Sequence, residues 1–349
     1  MLCVSHADNP SLSILCHYLM SASTTTFVLG VDLGGTNIVV GAMASDGSVM
    51  HAVRSEPTRA EDGADGVTAR IVRLIEDCIA ETISITGTTR ANFAGVGIGA
   101  PGPLDRETGI VLITPNLGWT DYPLRDRVSN AVQLPAALDN DANCATLGEW
   151  WIGAARGSKH AIGLTIGTGI GGGLILNGRL YHGASGIAGE LGHTSIDANG
   201  RRCKCGNYGC LEAYASGPAI AVRAREALGG DESSLLPALV HGDLDRITAQ
   251  TVFEAAERGD QLARHVVRDT ALFLGTGIAN LLNIFNPEVV VIAGGVTQAG
   301  DALFEPLRAE VRRRAFKPAV AVCRIVPGEL PGTAGVAGAV AIFKAWAGV

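Results

Sequence analysis

In "FVLGVDLGGTNIVVGAMASDG", short apolar stretches are broken by glycines, so residues 27–44 predict a strand, a glycine turn and a second strand. An Asp46-Gly47 turn then leads into a third apolar run, giving a β-meander. From Gly63 to about Ser84 the period changes. Val67, Ile71, Leu74, Ile75, Cys78 and Ile79 recur at helical spacing with charges between them, which predicts an amphipathic helix. A buried strand is expected in "FAGVGIGAPG", and a short strand that opens a helix in "PAALDNDANCATLGEWW". The opening plan then returns: "AIGLTIGTGIGGGLILNGRLY" reads as strand, Gly/Thr turn, strand, Asn177-Gly178 turn, strand, so the chain looks duplicated. Beyond Ser216 the pattern is mostly helical. It is interrupted by the buried parallel strand "PEVVVIAGGV" and closed by a small-residue helix, "GTAGVAGAVAIFKAWAG".

These elements describe an α/β protein, and 349 residues exceed the usual size of one hydrophobic core, so two lobes are expected. The small lobe is placed at residues 20–138 and the large one at 139–333, with a hinge between Asn130 and Asp139 and the last helix, 334–349, completing the small lobe. A hydrophobic content of 47% with 46 glycines fits buried strands and close helix packing. The net charge of −7, without a run of lysines or arginines, excludes a nucleic-acid footprint and a basic membrane-surface helix. No apolar stretch reaches the roughly 18 residues of a membrane span. Residues 1–19 lack a basic start to their short apolar run and are expected to be a disordered tail or to precede the true start. The eight cysteines, in a large chain with no export signal, are expected to be reduced and the protein cytoplasmic. Cys78, Cys144 and Cys323 suit small buried hydrophobes.

Chemistry is concentrated in the turns. "DLGGTN" (Asp32, Gly34, Gly35, Thr36, Asn37) and "GTGIGGG" (Gly167, Thr168, Gly169, Gly171, Gly172) both follow strands. Glycine lets backbone N–H groups converge on an anion, and a threonine hydroxyl can bond a phosphoryl oxygen. A hairpin needing positive φ explains each turn equally well, but a pair in corresponding positions can face one another and hold a nucleotide's phosphates. Asp32 can orient hydrated Mg²⁺ or simply initiate the turn. Gly294 and Gly295 form a third such turn, able to support an adenosine moiety. In "LDNDANC", Asp141 beside Asn140 offers a base and an orienting amide for an acceptor hydroxyl; helix capping by Asp141 is the competing reading.

His193 begins the pattern H-x9-C-x-C-x4-C, completed by Cys203, Cys205 and Cys210. Four such ligands suit a closed, structural Zn²⁺ site, with reduced structural or redox thiols as the alternative. Glu190 and Glu212 flank these ligands, so a folded metal loop brings both acids near His193, where they can accept hydrogen bonds from a polyol.

Together "DLGGTN", "GIGAPGPLD", "TPNLGW", "LDNDANCATLGEWWIGAARG", "IGTGIGGGLILNGRLYHG", "AGELGH", "CKCGNYGCLE" and "NPEVVVIAGGV" resemble the ROK family of repressors and kinases, most closely its bacterial glucokinases, over nearly the whole chain from Phe27. The resemblance implies a two-lobed actin-like (ribonuclease H-like) fold and ATP- and Mg²⁺-dependent phosphorylation of glucose. It implies Asp141 as catalytic base, and Gly102, Asn116, Asn140, Glu190, His193 and Glu212 as sugar ligands. It also implies His193, Cys203, Cys205 and Cys210 as Zn²⁺ ligands, Gly34–Asn37 and Gly167–Gly172 as phosphate turns, and a homodimer or larger homo-oligomer. Kinases for fructose, mannose or N-acetylhexosamines, a polyphosphate-using glucokinase and a sugar-sensing repressor are the alternatives. The 31 residues before Asp32 are too few for the repressors' winged-helix domain.

Overall fold

The first hairpin forms as β1 (Phe27–Leu33) and β2 (Asn37–Ala44), antiparallel from Phe27↔Ala44 to Leu33↔Ile38. This computed structural model describes residues 25–114, 116–229 and 233–348, so the expected tail at 1–19 lies outside the described residues. β3 (Met50–Pro57) pairs with the outer side of β2, and its alternating exposure suits a sheet edge. Helix α1 (Gly63–Thr86) buries the expected stripe from Val67 to Ile79 against β2 and β3. β4 (Phe93–Ala100) then joins β1 in parallel. Three short strands, β5 (Leu104–Asp105), β6 (Ile110–Thr114) and β7 (Trp119–Tyr122), make a separate antiparallel sheet. After α2 (Leu124–Val132), β8 (Ala136–Asn140) completes the first sheet beside β4, in the order β3-β2-β1-β4-β8.

The second half repeats this plan. Helix α3 (Asp141–Trp151) leads into β9 (Ala161–Ile166), β10 (Ile170–Leu176) and β11 (Arg179–Leu180). A helical layer follows: α4 (Glu212–Ala215), α5 (Gly217–Leu228), α6 (Leu236–Leu239), α7 (Ala249–Glu257) and α8 (Gln261–Phe285). β12 (Val289–Ala293), α9 (Asp301–Arg314), α10 (Lys317–Val322), β13 (Arg324–Pro327) and α11 (Ala334–Ala347) end the chain. The second sheet runs β11-β10-β9-β12-β13, so each sheet is a three-stranded meander extended by two parallel strands.

The halves meet through α3 and α11, which pack on each other with glycine at the crossings. A Cβ on Gly338 would lie 1.6 Å from Cys144 O, and one on Gly148 would lie 2.1 Å from Ala334 O. Helix α11 also lies against the first sheet, where a Cβ on Gly97 would lie 1.7 Å from Ala339 O. Helix α3 lies against β9 and β10, where Thr146 fills the space left by Gly163 and Gly173. The chain crosses between sheets at Asn140–Asp141. The stretch Asn130–Asp139, read as a hinge, is largely taken up by the end of α2 and by β8, because pairing with β4 makes β8 the last strand of the first sheet. Cys78 and Cys144 are fully buried as expected, whereas Cys323 is only half-buried.

Candidate active site

Every glycine turn singled out in the sequence sits at the carboxyl end of a parallel strand, where open α/β sheets bind ligands. The first follows β1 and is closed by Gly34 N–H donating to Asn37 O at 2.9 Å. Thr58, fully buried, fastens it: its Oγ1 donates to Gly34 O at 2.7 Å and its N–H to Thr36 O at 2.8 Å. The second follows β9 and spans Gly167–Gly169, with Gly167 N–H donating to Gly169 O at 2.9 Å. Gly171 and Gly172, expected in this turn, lie inside β10 instead. They serve packing there: a Cβ on Gly171 would lie 2.6 Å from that of Ala142, and one on Gly172 would lie 2.7 Å from Gly189 O. The third turn abuts the second, since Gly294 (φ 97°) approaches so closely that a Cβ would lie 2.2 Å from Ile166 O. Gly295 follows it with open space around its Cα.

Asp141 is the first residue of α3, and the expected competition between capping and chemistry resolves in an unexpected way. Asn140 is the cap: its Oδ1 accepts from Ala142 N–H at 3.0 Å and Asn143 N–H at 3.2 Å. Asp141 is therefore not needed as a cap. Its Oδ1 accepts from Ala142 N–H at 2.8 Å. Burial raises its carboxyl to about 6, and the charge of Glu190 adds to the rise. Asp32, at the end of β1, is raised to about 7 by burial and by the charge of Asp141. Its carboxylate lies against the first turn of α11, where a Cβ on Gly335 would lie 2.3 Å from Oδ2. Two buried acids whose carboxyls are both pushed up form a site short of positive charge. This donor set fits a hard divalent cation such as Mg²⁺.

The cysteine loop closes as the spacing predicts. One ligand atom from each of His193, Cys203, Cys205 and Cys210 lies within 4.8 Å of all the others. Cys205 Sγ and Cys210 Sγ stand 3.7 Å apart, too far for a disulfide and close to the roughly 3.8 Å edge of a tetrahedron with 2.3 Å Zn–S bonds. His193 Nδ1 lies 3.7 Å from Cys203 Sγ, while Nε2 faces Glu190 Oε2 at 4.0 Å. Burial, with Glu212 nearby, raises Glu190, and His193 opposes the shift. Glu212 has a second role that the sequence did not suggest. Its Oε2 accepts from Ile170 N–H at 2.8 Å, directly after the second glycine turn, and its Oε1 lies 3.9 Å from Cys203 Sγ. Gly217 N–H also donates to Gly167 O at 2.9 Å, so the segment after the cysteines grips both ends of that turn.

Of the remaining expected sugar ligands, Asn116 lies beside the first turn. Asn116 is exposed beside Gly35, where a Cβ would lie 4.0 Å from that of Asn116. Gly102 (φ 90°) lies against Ile113 O, to which a Cβ would come within 2.2 Å. Three further residues support the site. Thr58 fastens the first turn. Glu149, 2% exposed, accepts from Ala154, Glu329 and Leu330 N–H groups and so holds the loop before α11. Asp139 accepts from Asn143 Nδ2 at 2.9 Å and lies 2.7 Å from His182 Nε2. Burial alone would raise Asp139, but His182 and the hydrogen bonds of Asn143 and Asn140 outweigh it and hold the carboxyl below its ordinary value. Thr58 and Glu149 gave no signal in one sequence, because threonine and glutamate are common in loops and on helices.

Comparison with known proteins finds relatives over nearly the whole chain. Residues 28–346 match the family model described as the ROK family. A glucokinase of Thermotoga maritima is 41% identical over 91% of this chain and 97% of its own. A xylose repressor of Caldicellulosiruptor bescii is 34% identical over 90% of this chain and 77% of its own. Among solved structures, a ROK family glucokinase from Streptomyces griseus, in complex with glucose and AMPPNP, superposes with a TM-score of 0.78 at 34% identity, covering 90% of this chain and 98% of that one. The fold is accordingly the two-lobed actin-like fold of sugar kinases. Among the described residues no helix is long and apolar enough to cross a membrane.

Proposed function

The chain belongs to the ROK family, and from that premise we propose that it is a sugar kinase transferring the γ-phosphoryl group of ATP to the 6-hydroxyl of glucose. The observation that carries this reading is Asp141: a carboxylate raised to about 6, at the junction of the two sheets and coupled in charge to Asp32 and Glu190. A base with that pKa is ionised at neutral pH yet basic enough to take a proton as the reaction proceeds. As the O6–phosphorus bond forms and the bond to the bridging oxygen of ADP breaks, the O6 proton passes to Asp141. Such transfers depend mainly on positioning and charge stabilisation.

Asn140, Glu190, His193 and Glu212 hold the sugar in this reading, with Asn116 and the backbone at Gly102 on the opposite wall. Gly34–Asn37 and Gly167–Gly169 receive the phosphates, and the Gly294-Gly295 turn supports the adenosine. Asp32 orients Mg²⁺, which neutralises phosphoryl charge when bound. Zn²⁺ held by His193, Cys203, Cys205 and Cys210 shapes the pocket wall and takes no part in the transfer. Lobe closure excludes water and limits wasteful ATP hydrolysis. The protein is further taken to be cytoplasmic, where the loop thiols stay reduced, and to form a homodimer that sedimentation would reveal.

The likeness to a xylose repressor supports a second reading, a sugar sensor without turnover. One coupled assay separates them. Glucose, mannose, fructose and the N-acetylhexosamines are each supplied with ATP or polyphosphate; ADP formation fastest with glucose supports the kinase, and sugar binding without product supports the sensor.

A further inference from the structure

One cavity of the molecule lies apart from the cleft of the glycine turns. It occupies about 620 Å³ between the lobes and has none of the phosphate-turn or metal-loop residues in its walls. It meets the active site through Asp139, two residues before Asp141. We propose that this cavity binds a small organic anion with a flat apolar body, an aromatic sulfonate, phosphate or carboxylate.

The volume is that of a pocket for a ligand of drug-like size. Trp150, Trp151 and Trp346 are among the residues that line it and supply aromatic apolar surface. The charge balance is the reverse of the whole protein's. Arg106, Arg125, Arg179 and Lys344 stand against only Glu107 and Asp139, in a chain of net charge −7. Two of these cations are already engaged. Arg125 donates to the carbonyls of Glu107 at 2.9 Å and Thr108 at 3.0 Å, and Lys344 donates to Ser45 O and lies 4.9 Å from the Trp151 ring centroid. The Arg179 side chain makes no hydrogen bond or ion pair among the described residues, and it is exposed.

Arg106 is held in a contradictory set of contacts. Asp139 is satisfied without it: Oδ1 accepts from Asn140 N–H at 2.7 Å and Asn143 Nδ2 at 2.9 Å, and Oδ2 accepts from His182 Nε2 at 2.7 Å. With that nitrogen's proton directed at Asp139, Arg106 Nη1 at 2.8 Å faces a donor with a donor, and its own reach to Asp139 is stretched to 3.4 Å. An anion in the cavity would give Arg106 an acceptor of its own. Arg106 lies on the turn after β5 and Arg179 on β11, so an anion between them ties one lobe to the other.

The probe is 8-anilinonaphthalene-1-sulfonate, followed by fluorescence with ADP and glucose present to fill the catalytic cleft. One saturable site with a Kd in the micromolar range is expected. Affinity should fall about tenfold in Arg179→Leu, a change at an exposed side chain, and also in Arg106→Leu, as for loss of a charge-assisted contact. The uncharged analogue N-phenyl-1-naphthylamine should bind at least about tenfold more weakly, since it lacks the anion. Absence of saturable binding, equal affinity for the charged and neutral probes, or unchanged affinity in both arginine variants would overturn the proposal. Because binding is read by fluorescence, these outcomes do not depend on whether the chain phosphorylates glucose.

Discussion

The two glycine turns close the same strand-turn-strand unit, yet they are held in different ways. In the first, the acid belongs to the strand itself: Asp32 is the penultimate residue of β1, and Thr58 fastens the loop behind it. The corresponding place in β9 is Thr165, which has no charge, and the second turn borrows its acid from a distant loop, where Glu212 grips Ile170 N–H. Duplicated backbones therefore need not carry duplicated chemistry. The first turn stands on its own sheet, and the second depends on the cysteine loop.

The largest expected effect lies at the junction both turns share. Asp141→Asn should lower kcat by about 10³-fold, within the range for loss of a general base, with glucose affinity changed less than about threefold. The coupled assay and calorimetric titration measure the two quantities. The same group sets a pH limit. With its carboxyl raised to about 6, kcat/KM of the wild type should fall roughly tenfold per pH unit below that value, and the Asn variant should lose this limb.

Asp32→Asn separates function from stability at the first turn. Burial raises Asp32 from 3.8 to about 7, so between those values the folded chain keeps a proton that the unfolded chain has released. Its contribution to stability therefore falls as pH rises through that window and is lowest above 7. The amide removes that cost. At pH 8 without Mg²⁺ the variant should be more stable by on the order of 2–4 kcal/mol in urea unfolding, while kcat falls about 10²-fold through lost cation binding. Equal stability of the two proteins at pH 8 would contradict the buried-acid account.

Smaller effects distinguish the fastenings. Glu212→Gln should weaken nucleotide binding about three- to tenfold even without sugar, because a neutral acceptor replaces a charged one at Ile170 N–H. A residue serving only the sugar would leave that affinity unchanged. Thr58→Val should cost about 1–2 kcal/mol by removing a buried hydrogen bond and should raise the KM for ATP only slightly, leaving the KM for glucose unchanged.

Much of this was legible in the sequence. The meander was visible because Phe27–Ala44 and Ala161–Leu176 repeat the same apolar runs around glycine, and the ligand spacing of His193, Cys203, Cys205 and Cys210 is local enough to read directly. Strand β13 was missed because four residues, one arginine and one proline among them, carry no periodicity. Gly171 and Gly172 were misplaced because a glycine required by close packing looks the same as one required by a phosphate. The grip of Glu212 on Ile170 was hidden for a different reason: a backbone contact 42 residues away leaves no trace in residue type.

The most direct test of the unequal fastening is the dissociation constant of AMPPNP, without sugar, for protein preparations of graded zinc content, with Cys205→Ser as the metal-free limit. The account predicts that nucleotide affinity declines in step with zinc, by about three- to tenfold overall, as the loop bearing Glu212 loosens. An affinity for AMPPNP that stays constant while zinc is removed from a folded protein would contradict it.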